Sequence, residues 1–89
     1  KFEKPDLEKF KCLKLAFKAI TMGHSAQVVL NAANEVAVKK FLDKEITYTG
    51  ISRMIEKALD NHKAIPLMSV EEILALDKKV RNELIEEYK

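Results

Sequence analysis

The sequence predicts an all-α fold, a small four-helix bundle-like domain with an extended N-terminal arm. Apolar residues recur at helical spacing in separate stretches of the chain. Two glycines and two prolines in 89 residues are too few for a turn-rich β-fold or a disordered linker. Leu, Ile, Ala, Lys and Glu dominate, the vocabulary of packed amphipathic helices. A chain of 89 residues holds one small domain, which buries a little over ~60% of its unfolded surface. The apolar fraction of 47% supplies its core, and the 34% of charged residues its solvated exterior.

Residues 1–10 read as the end of an interdomain linker and residues 11–89 as the helical domain. From Phe2 to Phe10 the chain is expected to be extended, with a turn at Pro5-Asp6, because the residue before a proline avoids the helical region. Phe2 and Phe10 would tack this arm to the helices. The first helix should run from about Lys11 to Met22. Cys12, Leu15, Ala16 and Ala19 set its stripe, and Leu13, Phe17 and Ile20 widen it. Gly23 is its natural stop, since glycine takes a positive φ without a Cβ penalty.

The second helix has two candidate starts. Ser25 caps a long helix reaching Leu42, or Asn31 caps a shorter one with Val28-Val29-Leu30 as its approach. Val36, Val38, Phe41 and Leu42 form its buried face in either case. Glu45 to Tyr48 reads as a short extended connection with Ile46 inward. The third helix is the clearest periodic signal: Thr49 caps it, and Ile51, Met54, Ile55, Ala58 and Leu59 follow i, i+3, i+4, i+7, i+8 without a miss. It ends near Asn61, before the connection His62 to Met68. The fourth helix opens on a capping box, Ser69-Val70-Glu71-Glu72, in which the serine meets the N3 amide and Glu72 reaches back. Ile73, Leu76, Val80 and Leu84 form its stripe, flanked by Leu74 and Ile85. Asp77 and Arg81 stand at i, i+4 and are placed to pair.

Little in the chain carries chemistry. It has no G-x-G-x-x-G, no phosphate loop and no Cys-x-x-Cys. His24 and His62 read as surface loop histidines, each without a second ligand at helix spacing. Cys12 lies on an apolar stripe and reads as a buried structural cysteine, and a lone cysteine fits a reducing compartment. Sixteen basic and fourteen acidic residues leave a net charge of +2, interleaved along the chain, which points to neither nucleic acid nor an anionic membrane. No apolar stretch reaches the roughly 20 residues needed to span a bilayer. Because the chain begins at Lys1, it is expected to be a piece of a longer protein.

The unusual segment is Asn31-Ala32-Ala33-Asn34-Glu35. On a continuous helix Asn31 and Glu35 share a stripe with Val38 and Leu42, so two polar groups continue an apolar face. Asn31, Asn34 and Glu35 are either ligand-contacting groups or a cap and hydrogen-bonded knot. The second reading is preferred, because asparagine is among the strongest caps and the alanines permit close approach.

The ordered motifs resemble one family. They are Pro5-Asp6, then Phe10, Cys12, Leu13, Leu15 and Ala16, then Gly23, then Leu30-Asn31-Ala32-Ala33-Asn34-Glu35. Phe41-Leu42, Ile46, Tyr48, Ile51, Glu71-Glu72-Ile73-Leu74 and the Asp77–Arg81 pair complete the series. Throughout its length the chain resembles the C-terminal helical domain of the 1-deoxy-D-xylulose 5-phosphate reductoisomerases. It departs from the family where Lys11 replaces a usual proline, expected to weaken the helix start slightly. The resemblance implies a full-length homodimer that converts 1-deoxy-D-xylulose 5-phosphate to 2-C-methyl-D-erythritol 4-phosphate in non-mevalonate isoprenoid synthesis, in the bacterial cytoplasm. It would use NADPH and a divalent cation, Mg or Mn, held by NADPH-binding and catalytic domains that precede this one. No catalytic, cofactor-binding or metal-binding residue is assigned to this chain, no cofactor is expected in it, and alone it should be inactive. The functional alternative is a free-standing helical interaction module, for which the apolar stripes would be the motive. A helix-turn-helix reading is disfavoured by Glu56, Asp60, Glu71, Glu72, Glu83, Glu86 and Glu87, which would repel phosphates.

Overall fold

The computed structural model describes residues 7–66 and 69–87. Among them the chain forms four helices, α1 (Leu7–Met22), α2 (His24–Leu42), α3 (Tyr48–Asp60) and α4 (Val70–Glu87), and no strand. The all-α class read from the sequence is the class observed.

α1 begins four residues before the expected start at Lys11. Leu7 to Phe10 were expected as the end of an extended arm and instead form the helix's first turn; Phe2 and the Pro5-Asp6 turn lie outside the described residues. The physical reason is Lys11 itself. A proline there would lack the amide proton and press its ring on the preceding turn, ending the helix. Lysine does neither, so nothing at position 11 interrupts the helix that begins at Leu7. The added turn also brings Glu8 inward. Its buried carboxylate accepts a 2.7 Å hydrogen bond from the Ser52 amide on α3, and a carboxylate in a first turn suits the helix dipole.

α1 stops where glycine permits. Gly23 has φ 112° and ψ −174°, a conformation open almost only to glycine, and its amide closes the last turn on the Ala19 carbonyl at 3.1 Å. One residue therefore separates α1 from α2. Gly23 is also the N-cap of α2, so neither Ser25 nor Asn31 takes that role.

α2 lies at the centre of the domain, against α1, α3 and α4, and α1 also meets α3. Its inner face is built from Ala26, Val29, Ala33, Val36 and Ala37, all buried. The alanines let the neighbouring backbones approach closely, the helical route to dense packing with small side chains. Val38 and Leu42, expected inside, are 37% and 70% exposed; Val36 is buried and Phe41 half-buried against the core. The helix turns 100° per residue, and facing three partners fixes which apolar residues go inward.

Two threonines compete to cap α3, and the structure uses Thr47, whose hydroxyl accepts from the Gly50 amide at 3.2 Å, in place of Thr49. The cap moves two residues upstream and Tyr48 becomes the first helical residue, tilted against Phe41 with ring centroids 5.6 Å apart. Ile51, Met54, Ile55 and Leu59 are all buried. Each such side chain contributes about 1.5–3 kcal/mol by leaving water. Ile46, just before the cap, packs on the same core. On α4 only Leu84 of the expected stripe is fully buried; Leu76 and Val80 pack partly against the core, while Leu74 and Ile85 are exposed.

Candidate functional site

The run Asn31 to Glu35 lies inside α2, about two turns beyond its start. Asn31 is thus a mid-helix residue and cannot cap. Ala32 and Ala33 point into the domain with no exposed surface, and Asn31, Asn34 and Glu35 take the opposite, exposed side. The stripe Asn31, Glu35, Val38, Leu42 does exist, but it is the solvent face of the helix and not the buried one.

The polar residues of the run have different surroundings. Asn31 and Asn34 line a groove of about 800 Å³ between α2 and α1, whose apolar wall is Phe10, Leu13, Ile20 and Leu30. Glu35 turns away toward α4. Its carboxylate accepts from the Arg81 guanidinium at 2.5 Å, while Arg81 Nε donates to Asp77 at 2.7 Å. The hydrogen bond from Arg81 to Asp77, then that to Glu35, hold the arginine pKa above its already high value. A single arginine thus braces its own helix and ties α2 to α4. All three side chains keep partial contact with water, so each pairing is worth about 0–1 kcal/mol.

Ser69 and Glu72 stand apart from this cluster, at the start of α4. The Glu72 amide donates to the Ser69 hydroxyl at 3.2 Å, and the return contact of Glu72 Oε1 is with that same hydroxyl at 3.4 Å.

Two buried polar contacts have no precedent in the sequence pattern. One is Glu8 on the Ser52 amide. The other joins α2 to the connection after α3: the Ser25 hydroxyl, 1% exposed, accepts from the Ile65 amide at 3.0 Å and lies 2.9 Å from His62 Nε2. Accepting from the amide leaves the hydroxyl proton free to point at an unprotonated ring nitrogen. Burial, and then the charge of Lys79, lower the His62 pKa, which favours that neutral form. His62 is therefore a half-buried latch and not a surface loop histidine. The only advance hint is chemical: a serine one residue beyond a helix junction and a histidine beside a helix end both seek partners. His24 is exposed but belongs to the first turn of α2, not a connection. Cys12 is half-buried against the core beside the groove.

The described residues do not fit NADPH or a divalent cation. No three His, Cys, Asp or Glu side chains among them gather as a metal site would require. Glu35 and Asp77 are both paired with Arg81. Gly23 and Gly50 both sit at helix starts, not in a phosphate-cradling loop. No described helix is long and apolar enough to cross a membrane.

Fold and surface together define a small helical domain, braced between its helices and, among the described residues, open along an apolar groove between α1 and α2. Residues 1–83 match the family model described as the DXP reductoisomerase C-terminal domain, and the chain belongs to that family. It is 53% identical over 77 residues to 1-deoxy-D-xylulose 5-phosphate reductoisomerase of Trichlorobacter lovleyi, covering 86% of this chain and 20% of that protein. It is 52% identical over 83 residues to the same-named protein of Shouchella clausii, covering 93% and 22%. With that of Thermoanaerobacter pseudethanolicus it shares 41% over 87 residues, covering 98% and 23%. The chain thus spans about a fifth of the length of the curated relatives it matches. No solved structure matches it.

Proposed function

We propose that this chain serves as the C-terminal packing domain of a 1-deoxy-D-xylulose 5-phosphate reductoisomerase, a homodimeric enzyme of the bacterial cytoplasm. The whole enzyme would convert 1-deoxy-D-xylulose 5-phosphate to 2-C-methyl-D-erythritol 4-phosphate with NADPH and Mg or Mn. The NADPH-binding and catalytic domains of the same polypeptide would hold those groups and be this domain's partners. The observation that carries the reading is the match of residues 1–83 to the family's C-terminal domain, at 41–53% identity to proteins that bear this name. On this reading Asn31, Asn34, Glu35, Asp77 and Arg81 hold helices and domains in place and touch no reacting atom. Ser69 and Glu72 cap α4.

The test is turnover. With 1-deoxy-D-xylulose 5-phosphate, NADPH and Mg, the full-length polypeptide bearing this domain oxidises NADPH and the purified 89-residue chain does not. Turnover by the 89-residue chain, or none by the full-length protein, would overturn the assignment.

A further inference from the structure

After α3 the chain leaves the helices along residues 61–66, where little holds it. Asn61 and Lys63 to Pro66 are exposed, and His62 is half-buried. The Asn61 and His62 amides close the end of α3 on the Lys57 and Leu59 carbonyls. Beyond them, among the described residues, two hydrogen bonds tie this connection to α2: the Ile65 amide and the His62 ring both meet the Ser25 hydroxyl. One oxygen carries the attachment, and at 1% exposure it is closed to water while the connection stays in place.

The helices themselves are held by other contacts. Met54, Ile55 and Leu59 of α3 share one buried core with Val29 of α2 and Leu84 of α4, and Arg81 ties α4 to α2 through Glu35. A segment held by two hydrogen bonds and few apolar contacts opens at much lower cost than such a core.

The attachment needs a lone pair on His62 Nε2. The Ser25 hydroxyl accepts from the Ile65 amide and turns its own proton to that nitrogen, 2.9 Å away. A second ring proton would occupy Nε2 itself. Two donors would then face the Ser25 oxygen, and its hydroxyl proton would lose its acceptor inside the domain. The surroundings do not compensate. α2 faces the ring with Ser25 and the apolar Val29, α3 with Lys57, and α4 with Lys79, Glu83 and Glu87. Those charges are two of each sign, paired as Lys57–Glu87 and Lys79–Glu83. Burial, and then Lys79, hold the His62 pKa below 6.5.

We propose that His62 is an acid-operated latch: a proton taken from solvent at Nε2 frees residues 62–65 from Ser25 while the four helices stay packed. In the open connection His62 titrates near its ordinary 6.5, and in the closed one below it. The closed form is therefore favoured above 6.5, and the open population grows as pH falls from there. Between about pH 7.5 and 5.5 that growth reaches at most about tenfold, the limit for one histidine that stays unprotonated while closed.

The test is exchange of backbone amide protons with solvent, followed by NMR in the 89-residue chain at both pH values. Each rate is divided by that of an unprotected amide at the same pH. Protection at Ile65 should fall severalfold on acidification, up to that limit, while Ile55 and Leu59 on α3 keep theirs. His62→Gln keeps an acceptor near Ser25 but does not titrate, so Ile65 should be equally protected at both pH values. Unchanged protection at Ile65 in the unsubstituted chain, or an equal fall in the variant, would overturn the proposal. A parallel loss at Ile55 and Leu59 would also overturn it, because the whole domain would then be opening. If the variant does not fold, the contrast between Ile65 and those two α3 amides in the unsubstituted chain decides.

Discussion

α3 and α1 are both amphipathic, yet they use their apolar residues in opposite ways. On α3, Ile51, Met54, Ile55 and Leu59 are all buried, Met54 and Leu59 completely. On α1 only Leu15 and Ala19 are buried to that degree, and Leu7, Phe10, Leu13, Phe17 and Ile20 meet solvent. α3 buries its apolar surface within the domain; α1 leaves much of its own in contact with solvent. The difference separates residues that hold this fold together from residues that the domain should do without.

The largest expected effect lies on α3. Met54→Ala removes a fully buried side chain and leaves a cavity, costing about 2–5 kcal/mol in urea unfolding of the domain. A cost below about 1 kcal/mol would show that the Met54 side chain is not packed in the core. Next is Gly23, the single residue that joins α1 to α2. A Cβ at Gly23 meets nothing within 4 Å, so any cost of Gly23→Ala comes from the backbone alone. At φ 112° that cost is about 1–3 kcal/mol, read by the same unfolding experiment. A neutral substitution would mean that the junction relaxes to a negative φ.

A smaller effect comes from the latch on the connection that follows α3. The folded chain holds the His62 pKa below the ordinary 6.5, through burial and then Lys79. As pH falls, the unfolded chain therefore takes up the proton first. The latch's contribution is complete above 6.5 and is lost as pH drops from there through the lower folded value. The urea midpoint should fall between about pH 7.5 and 5.5, and His62→Asn should reduce that fall. An equal fall in both proteins would remove His62 from the account.

The legibility of these features in the sequence follows the same division. α3 was readable because one buried stripe alternates with charged residues at a single period, leaving little choice of face. The stop at Gly23 was readable because few residues accept its backbone. α2 was not, because Ala26, Val29, Ala33, Val36 and Ala37 face several neighbours, and periodicity does not say which of several apolar stripes goes inward. Asn31 looked like a cap for a local reason, its capping propensity, and tertiary packing of Ser25 and Ala26 overrode it. The extension of α1 to Leu7 depended on a residue's absence: lysine at position 11 leaves nothing to stop the helix. Long-range polar contacts such as Glu8 with Ser52 and Ser25 with His62 join residues 44 and 37 positions apart. Nothing in local spacing announces them.

The smallest stability effect gives the sharpest test of the division between the two helices. Leu13 is 55% exposed on the α1 stripe. In the isolated domain Leu13→Ala should therefore change the unfolding free energy by no more than about 0.5 kcal/mol, as expected of a surface substitution. A loss of about 2–5 kcal/mol, the range for a buried leucine, would contradict it: α1 would then bury its stripe within the domain, as α3 does.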